Sequence, residues 1–200
     1  LGEVVLPRPR IRPDVAPVYP PETLRARMPR SYGEFLEGRA TRDIMRWYLA
    51  LVFSGFDVDV ISTQQFIEGA WRKYKAVFFP LARRVPRALD EAMLDYVEHG
   101  GVVWLDYDVF MIDDETGLER QPPKWLGPRW ERELLTKPPE LVPVEGRIFR
   151  CEPRLSDGTC GSNITVLGGD ALYWRRDGKV WLVKQRMPPG YVFYCAIRPD

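Results

Sequence analysis

Apolar and polar positions along the chain fall into blocks of different period. The densest is 76–79, Ala-Val-Phe-Phe, an unbroken apolar run with no alternation. Such a run predicts a strand buried on both faces, as in a parallel sheet covered by helices. Pro80 ends it. Across 85–101, Leu89, Met93, Leu94 and Val97 recur at helical spacing and give a helix one apolar face. Pro86 suits the first turn of that helix, where its missing N–H costs nothing. Gly100-Gly101 closes it, because glycine takes the left-handed cap without a Cβ clash. The next buried run is 102–105, Val-Val-Trp-Leu. Strand, helix and strand of these lengths make a right-handed βαβ unit.

The rest of the chain is read around that unit. Residues 1–13 alternate proline and arginine and predict an arm or linker. Residues 15–19 form a first strand, made irregular or edge-like by Pro17. Residues 20–38 are polar, with Pro and Gly, and read as a long loop. A helix is expected over 41–53, with Ile44, Tyr48, Leu51 and Val52 on one face, Trp47 at its border and Gly55 at its end. Thr41 or Asp43 supplies its N-cap. A second strand at 58–61 and a short helix or turn at 64–71 lead into 76–79. This succession predicts an α/β fold with an open, mostly parallel, doubly wound sheet and helices on both faces. Residues 107–146 are rich in Pro, Asp, Glu and Arg and read as a long irregular segment with a short helix at 130–135. Short strands at 147–150, 165–167, 171–174, 180–184 and 191–197 predict a C-terminal antiparallel β extension over 147–200. Asp177-Gly178 is its hairpin turn. The division is an arm at 1–13 and one domain at 14–200, whose βαβ core is 14–106.

Composition narrows the function classes. Two hundred residues at 45% hydrophobic content suit one domain with a sizeable core. A net charge of +1 creates no global field, so neither nucleic acid nor an acidic membrane surface is expected as a partner. No apolar run is long enough to cross a bilayer. The start at Leu1 without a leader pattern suggests a fragment, processed product or excised domain. The compartment stays open, with the cytoplasm slightly favoured over secretion. Arginine outnumbers lysine, Asn163 is the sole asparagine, and there are 19 prolines. That balance leans towards a thermophilic source, although a GC-rich genome gives the same arginine bias. Cys151 and Cys160 flank a short Gly/Asp/Ser segment and are a candidate disulfide. The alternative is three buried thiols, Cys195 included, acting as small hydrophobes.

The motifs for chemistry are sparse. A nucleophile on such a sheet sits on a tight strand-to-helix turn with glycine neighbours. The turn after 102–105 reads Asp106-Tyr107-Asp108, with no serine, cysteine or glycine, so no catalytic residue is expected from an elbow. His99 is the only histidine, placed in a last helical turn where a cation is favoured. There is no His/Cys cluster for zinc and no phosphate loop, so neither metal nor cofactor is expected. The acidic run 113–115 lacks the alternate ligand spacing of a calcium loop and reads as a solvated turn. Asn163-Ile164-Thr165 is a glycosylation sequon, relevant only to a secreted chain. If the sheet takes a ligand, its strand ends bring together Tyr19, Glu22, Asp106 and Asp108, a set that suits a carbohydrate. A further alternative is a stand-alone hydrolase using Asp106 or Asp108. Within 121–135, Trp125, Arg129, Trp130 and Arg132 make an apolar patch rimmed by charge, expected to contact another subunit or domain. The bland alternative is that both tryptophans cap the domain's own core.

Several stretches recur in an order that carries a resemblance. They are 14–20 (DVAPVYP), 48–59 (YLALVFSGFDVD), 74–81 (YKAVFFPL), 94–101 (LDYVEHGG), 114–117 (DETG), 123–127 (PKWLG) and 190–194 (GYVFY). Together, over residues 14–199, they resemble the β-galactosidase trimerisation domain, the glutamine-amidotransferase-like domain of microbial glycoside hydrolases. The resemblance implies a flavodoxin-like domain that lacks the amidotransferase nucleophile and packs subunits into a homo-oligomer. The implied partner within the same protein is a catalytic barrel. The catalytic glutamates lie there, so no catalytic position carries over to this chain.

Overall fold

Proline and glycine punctuate the N-terminal half into strands and helices that alternate along the chain. The computed structural model describes residues 13–25, 30–106, 109–121, 123–126, 129–134, 141–143, 160–165, 170–175 and 180–195. The first half comprises β1 (Val15–Tyr19), α1 (Pro21–Arg25), α2 (Arg30–Phe53), β2 (Ile61–Ser62) and α3 (Thr63–Ile67). A 3-10 turn (Ala70–Lys73) leads to β3 (Ala76–Phe79), β4 (Arg84–Val85), α4 (Ala88–Glu98) and β5 (Val102–Leu105). The second half adds β6 (Ile112–Asp113), a 3-10 turn (Lys124–Leu126), β7 (Arg129–Leu134), β8 (Leu141–Pro143) and β9 (Cys160–Thr165). It ends with β10 (Asp170–Arg175), β11 (Val180–Met187) and β12 (Gly190–Cys195).

The main sheet has eight strands in the order β2-β1-β3-β5-β12-β11-β10-β8. The run from β2 to β12 is parallel throughout, and β11, β10 and β8 continue it antiparallel. Val77, Val103 and Val192 lie in register across the middle. This is the expected α/β architecture: a flavodoxin-like, mostly parallel sheet with helices on both faces and an antiparallel C-terminal extension. Two small ladders flank it, β4 with β6 and β7 with β9.

Strand pleating sorts the side chains of β3 and β5 onto two faces. Val77, Phe79, Val103 and Leu105 point to one face and are fully buried, in one cluster with Phe66 of α3 and Leu89, Met93 and Val97 of α4. Phe66 meets Phe79 edge-on at 5.3 Å and Tyr96 at 5.7 Å. Phe78 and Trp104 point to the other face and are half-buried, with Trp47 of α2 over them at 4.6 and 5.4 Å. The expectation of full burial on both faces of 76–79 therefore holds for one face only. Gly100 has φ +91°, the left-handed cap expected of it. Gly190 admits β12 beside β5: a Cβ there would collide with the carbonyl oxygens of Val97 and Gly101.

Several expectations need correction. Residues 20–38 contain α1 and the first turns of α2 rather than one long loop. The Glu, Leu, Arg and Ala in that stretch favour helix, and extending a helix already anchored on the sheet needs no new nucleus, so Gly33 and Gly38 do not stop it. Val52, expected on the inner face of α2, is exposed. The second strand is Ile61–Ser62, and Val58 makes only an isolated bridge to Val15. Ser62 then caps α3 through a capping box with Gln65. Residues 130–135 are not a helix: β7 pairs with β9 from Arg129↔Thr165 to Leu134↔Cys160. A helix that short is marginal alone, and a strand partner supplies the backbone hydrogen bonds instead. The strand expected at 165–167 runs over Cys160–Thr165, and β8 lies inside the stretch read as irregular. The strand expected at 147–150 and the turn at 177–178 lie outside the described residues, although β10 and β11 pair as that hairpin requires.

Candidate functional site

The carboxyl ends of β1, β3 and β5 are adjacent, and the expected ligand-edge residues follow them. Asp106, directly after β5, is 4% exposed. Its Oδ2 accepts from Trp47 Nε1 at 2.8 Å and its Oδ1 from Trp104 Nε1 at 2.7 Å. Each carboxylate oxygen thus receives an indole N–H, and the pair of bonds clamps α2 onto the sheet. Glu22 Oε2 accepts from Thr63 Oγ1 at 2.5 Å, and that hydroxyl lies 3.4 Å from the Tyr19 carbonyl oxygen, which ties α1 to the start of α3. Tyr19 lines an apolar pocket of about 270 Å³ with Thr41, Ile44, Met45, Tyr48 and Val60. Asp108 lies outside the described residues. The structure therefore brings Tyr19 and Glu22 near Thr63, while Asp106 is turned to the tryptophans.

The segments that follow β1 and β3 are stitched by Thr23 of α1. Its hydroxyl donates to the Arg84 carbonyl and accepts from the Arg84 N–H, both at 3.0 Å. A rim of ion pairs follows: Arg84 with Asp114 at 2.6 Å, Arg87 with Asp113, and Arg120 with Asp90. Asp113 is 1% exposed, and its Oδ1 also accepts the N–H groups of Glu115 and Thr116 at 3.0 and 2.9 Å. The Arg87 guanidinium and these amides hold the Asp113 carboxyl well below the usual carboxylate range. Burial pushes the Asp90 carboxyl up, against the pull of Arg120. Of the acidic run expected as a solvated turn, Glu115 is exposed in a turn, while Asp113 and Asp114 pair with arginines. His99 is exposed at the end of α4, with Nδ1 2.7 Å from the Asp95 carbonyl oxygen.

One surface was missed by the sequence reading. Met45, Leu49, Val52 and Phe53 on α2, with Phe56 and Val60 after it, are exposed large apolar side chains, and Phe53 is 84% exposed. On the helix they lie at i, i+4, i+7 and i+8, a second stripe beside the one that meets the sheet. That spacing was the available signal; of these residues only Val52 entered the predicted face.

Residues 15–116 match the family model described as the β-galactosidase trimerisation domain. The chain belongs to this family. No curated protein matches it. Among solved structures, a β-galactosidase from Rahnella sp. R3 superposes with a TM-score of 0.68 at 22% identity, covering 96% of this chain and 29% of that one. A β-galactosidase from Bacillus circulans sp. alkalophilus gives 0.69 at 17% identity, covering 94% and 29%. An exo-β-1,4-mannosidase from an Opitutaceae bacterium, strain TAV5, gives 0.63 at 15% identity, covering 94% and 31%. The chain thus spans less than a third of these relatives' length, and the likeness at such identity is one of fold.

Within this family member, the expected contact segment 121–135 divides. Trp125 is half-buried and packs against the core, and Leu126 beside it is fully buried. Arg129, Trp130 and Arg132 lie on β7, opposite Thr165, Ile164 and Ser162 of β9. Cys160 begins β9 and Cys151 lies outside the described residues, so the expected disulfide does too. Cys195 is a buried thiol at the end of β12.

Proposed function

We propose that this chain is a non-catalytic assembly domain of a larger, β-galactosidase-like glycoside hydrolase, joined in its parent protein to a catalytic barrel. The observation that carries this reading is the exposed apolar stripe on α2 and the connection to β2. Single exposed apolar residues are ordinary, but a contiguous group of this kind marks an interaction surface. Membership of a family named for trimerisation supports a neighbouring subunit as its occupant. The occupied state of Asp106 supports a structural rather than an acid/base role for that carboxylate, which weighs against a hydrolase centred on it. Light scattering on the parent enzyme, unmodified and carrying Phe53→Glu with Leu49→Glu, tests the reading. The expected result is a lower subunit count with an unchanged melting temperature; an unchanged count would refute it.

A further inference from the structure

Arg83 stands apart from its neighbours. It is 7% exposed, yet among the described residues its Nε and Nη1 are buried without a hydrogen-bond partner. Arg84, Arg87 and Arg120 in the same rim each hold an aspartate, although Arg120 Nη1 is also buried without a partner among the described residues. A buried guanidinium is costly unless an acceptor receives its N–H groups. The backbone holds Arg83 firmly: its N–H donates to the Leu81 carbonyl at 2.8 Å, and its carbonyl accepts from Met111 and Ile112 at 2.9 and 3.0 Å. Leu81 and Phe110, beside these contacts, both have positive φ, +49° and +61°, a conformation that side-chain-bearing residues disfavour. Arg83 lies in the segment after β3, just before Arg84, whose backbone is bonded by the Thr23 hydroxyl of α1. With β1 between β2 and β3, the carboxyl ends of β1 and β3 form the sheet's topological switch point, where open α/β sheets take ligands.

We propose that Arg83 anchors an oxyanion site at the β1/β3 switch point, receiving a carboxylate or phosphate group. Guanidinium groups bind both through charge-assisted hydrogen bonds. The anion comes either from a free small molecule or from an acidic side chain elsewhere in the parent protein. The site does not depend on the assembly role.

The test follows the Arg83 Nε–H signal by NMR in the 200-residue chain while phosphate, and separately acetate, is added at constant ionic strength. A saturable shift of that signal, with a rise in melting temperature that Arg83→Met abolishes, is expected. Arg83→Lys should weaken binding by about tenfold, since a point charge replaces the planar donor set. A silent Arg83 signal with both anions, or an undiminished melting response in Arg83→Met, would overturn the site. If Arg83→Met does not fold, the titration of the unmodified chain decides alone. The same titration on the parent enzyme separates the sources. A phosphate response equal to that of the isolated chain assigns a free anion. A parent that ignores phosphate but loses stability with Arg83→Met assigns an internal carboxylate.

Discussion

The two faces of the central sheet are built differently. Under α3 and α4, Val77, Phe79, Val103 and Leu105 are sealed by aliphatic and aromatic side chains. Under α2, Phe78, Trp104 and Phe193 are half-buried, and the helix is held by a carboxylate shared between two indoles. Burial stabilises in proportion to apolar area removed from water, so the fully buried side chains of the sealed face should each contribute more than the half-buried ones under α2. The α2 face relies on directional contacts, and Met45, Leu49, Val52 and Phe53 on the outer side of α2 remain exposed. In the proposed assembly, the exposed stripe on α2 would face the partner.

The comparison is broken most directly by core truncation. Phe79→Ala should cost about 3–5 kcal/mol in urea unfolding, as expected for a fully enclosed ring, and Phe78→Ala clearly less. Equal losses would mean that the faces contribute alike.

Asp106→Asn should cost about 1.5–3 kcal/mol, because one indole N–H would face an amide that cannot accept from it. Loss of near-ultraviolet circular dichroism from the Trp47–Trp104 pair, 5.4 Å apart, should accompany it. A neutral outcome would remove the clamp from the account of the α2 face.

The rim of the sealed face should respond to acid. The Asp113 pKa is depressed in the fold, so its contribution is present above the unfolded value, near 3.8, and fades as pH falls below it. Asp90 is raised and acts in the opposite sense. The stability difference between the unmodified chain and Asp113→Asn should therefore be full at neutral pH and shrink below about pH 4. A difference independent of pH would show that the Arg87–Asp113 pair does not hold this corner.

The smallest stability effect is expected on the outer side of α2. Phe53→Glu should stay within about 0.5 kcal/mol of the unmodified chain, since the ring already faces solvent. A larger loss would place that ring in the domain's own core and remove it from the proposed subunit contact. Trp125→Ala should lower the melting temperature more than Phe53→Glu does, because its ring packs on the core.

Local pattern by itself determined the strands at 76–79 and 102–105, the helix between them with its Gly100 cap, and the alternating order that names the fold. Those features depend on residues within a few turns of one another, where periodicity, proline and glycine act directly. Position in space decided the rest. Two apolar stripes compete for the inside of α2, and only the sheet selects Ile44 and Leu51 over Met45 and Leu49. Residues 129–134 are a strand because β9 supplies their partner. Asp106, read from sequence as a ligand or acid/base candidate, became a clamp through Trp47, 59 positions away, and Arg83 gained its meaning from finding no acceptor for Nε and Nη1 among the described residues. Burial and pairing at that range are properties of the assembled layers, and no window of sequence contains both members of such a contact.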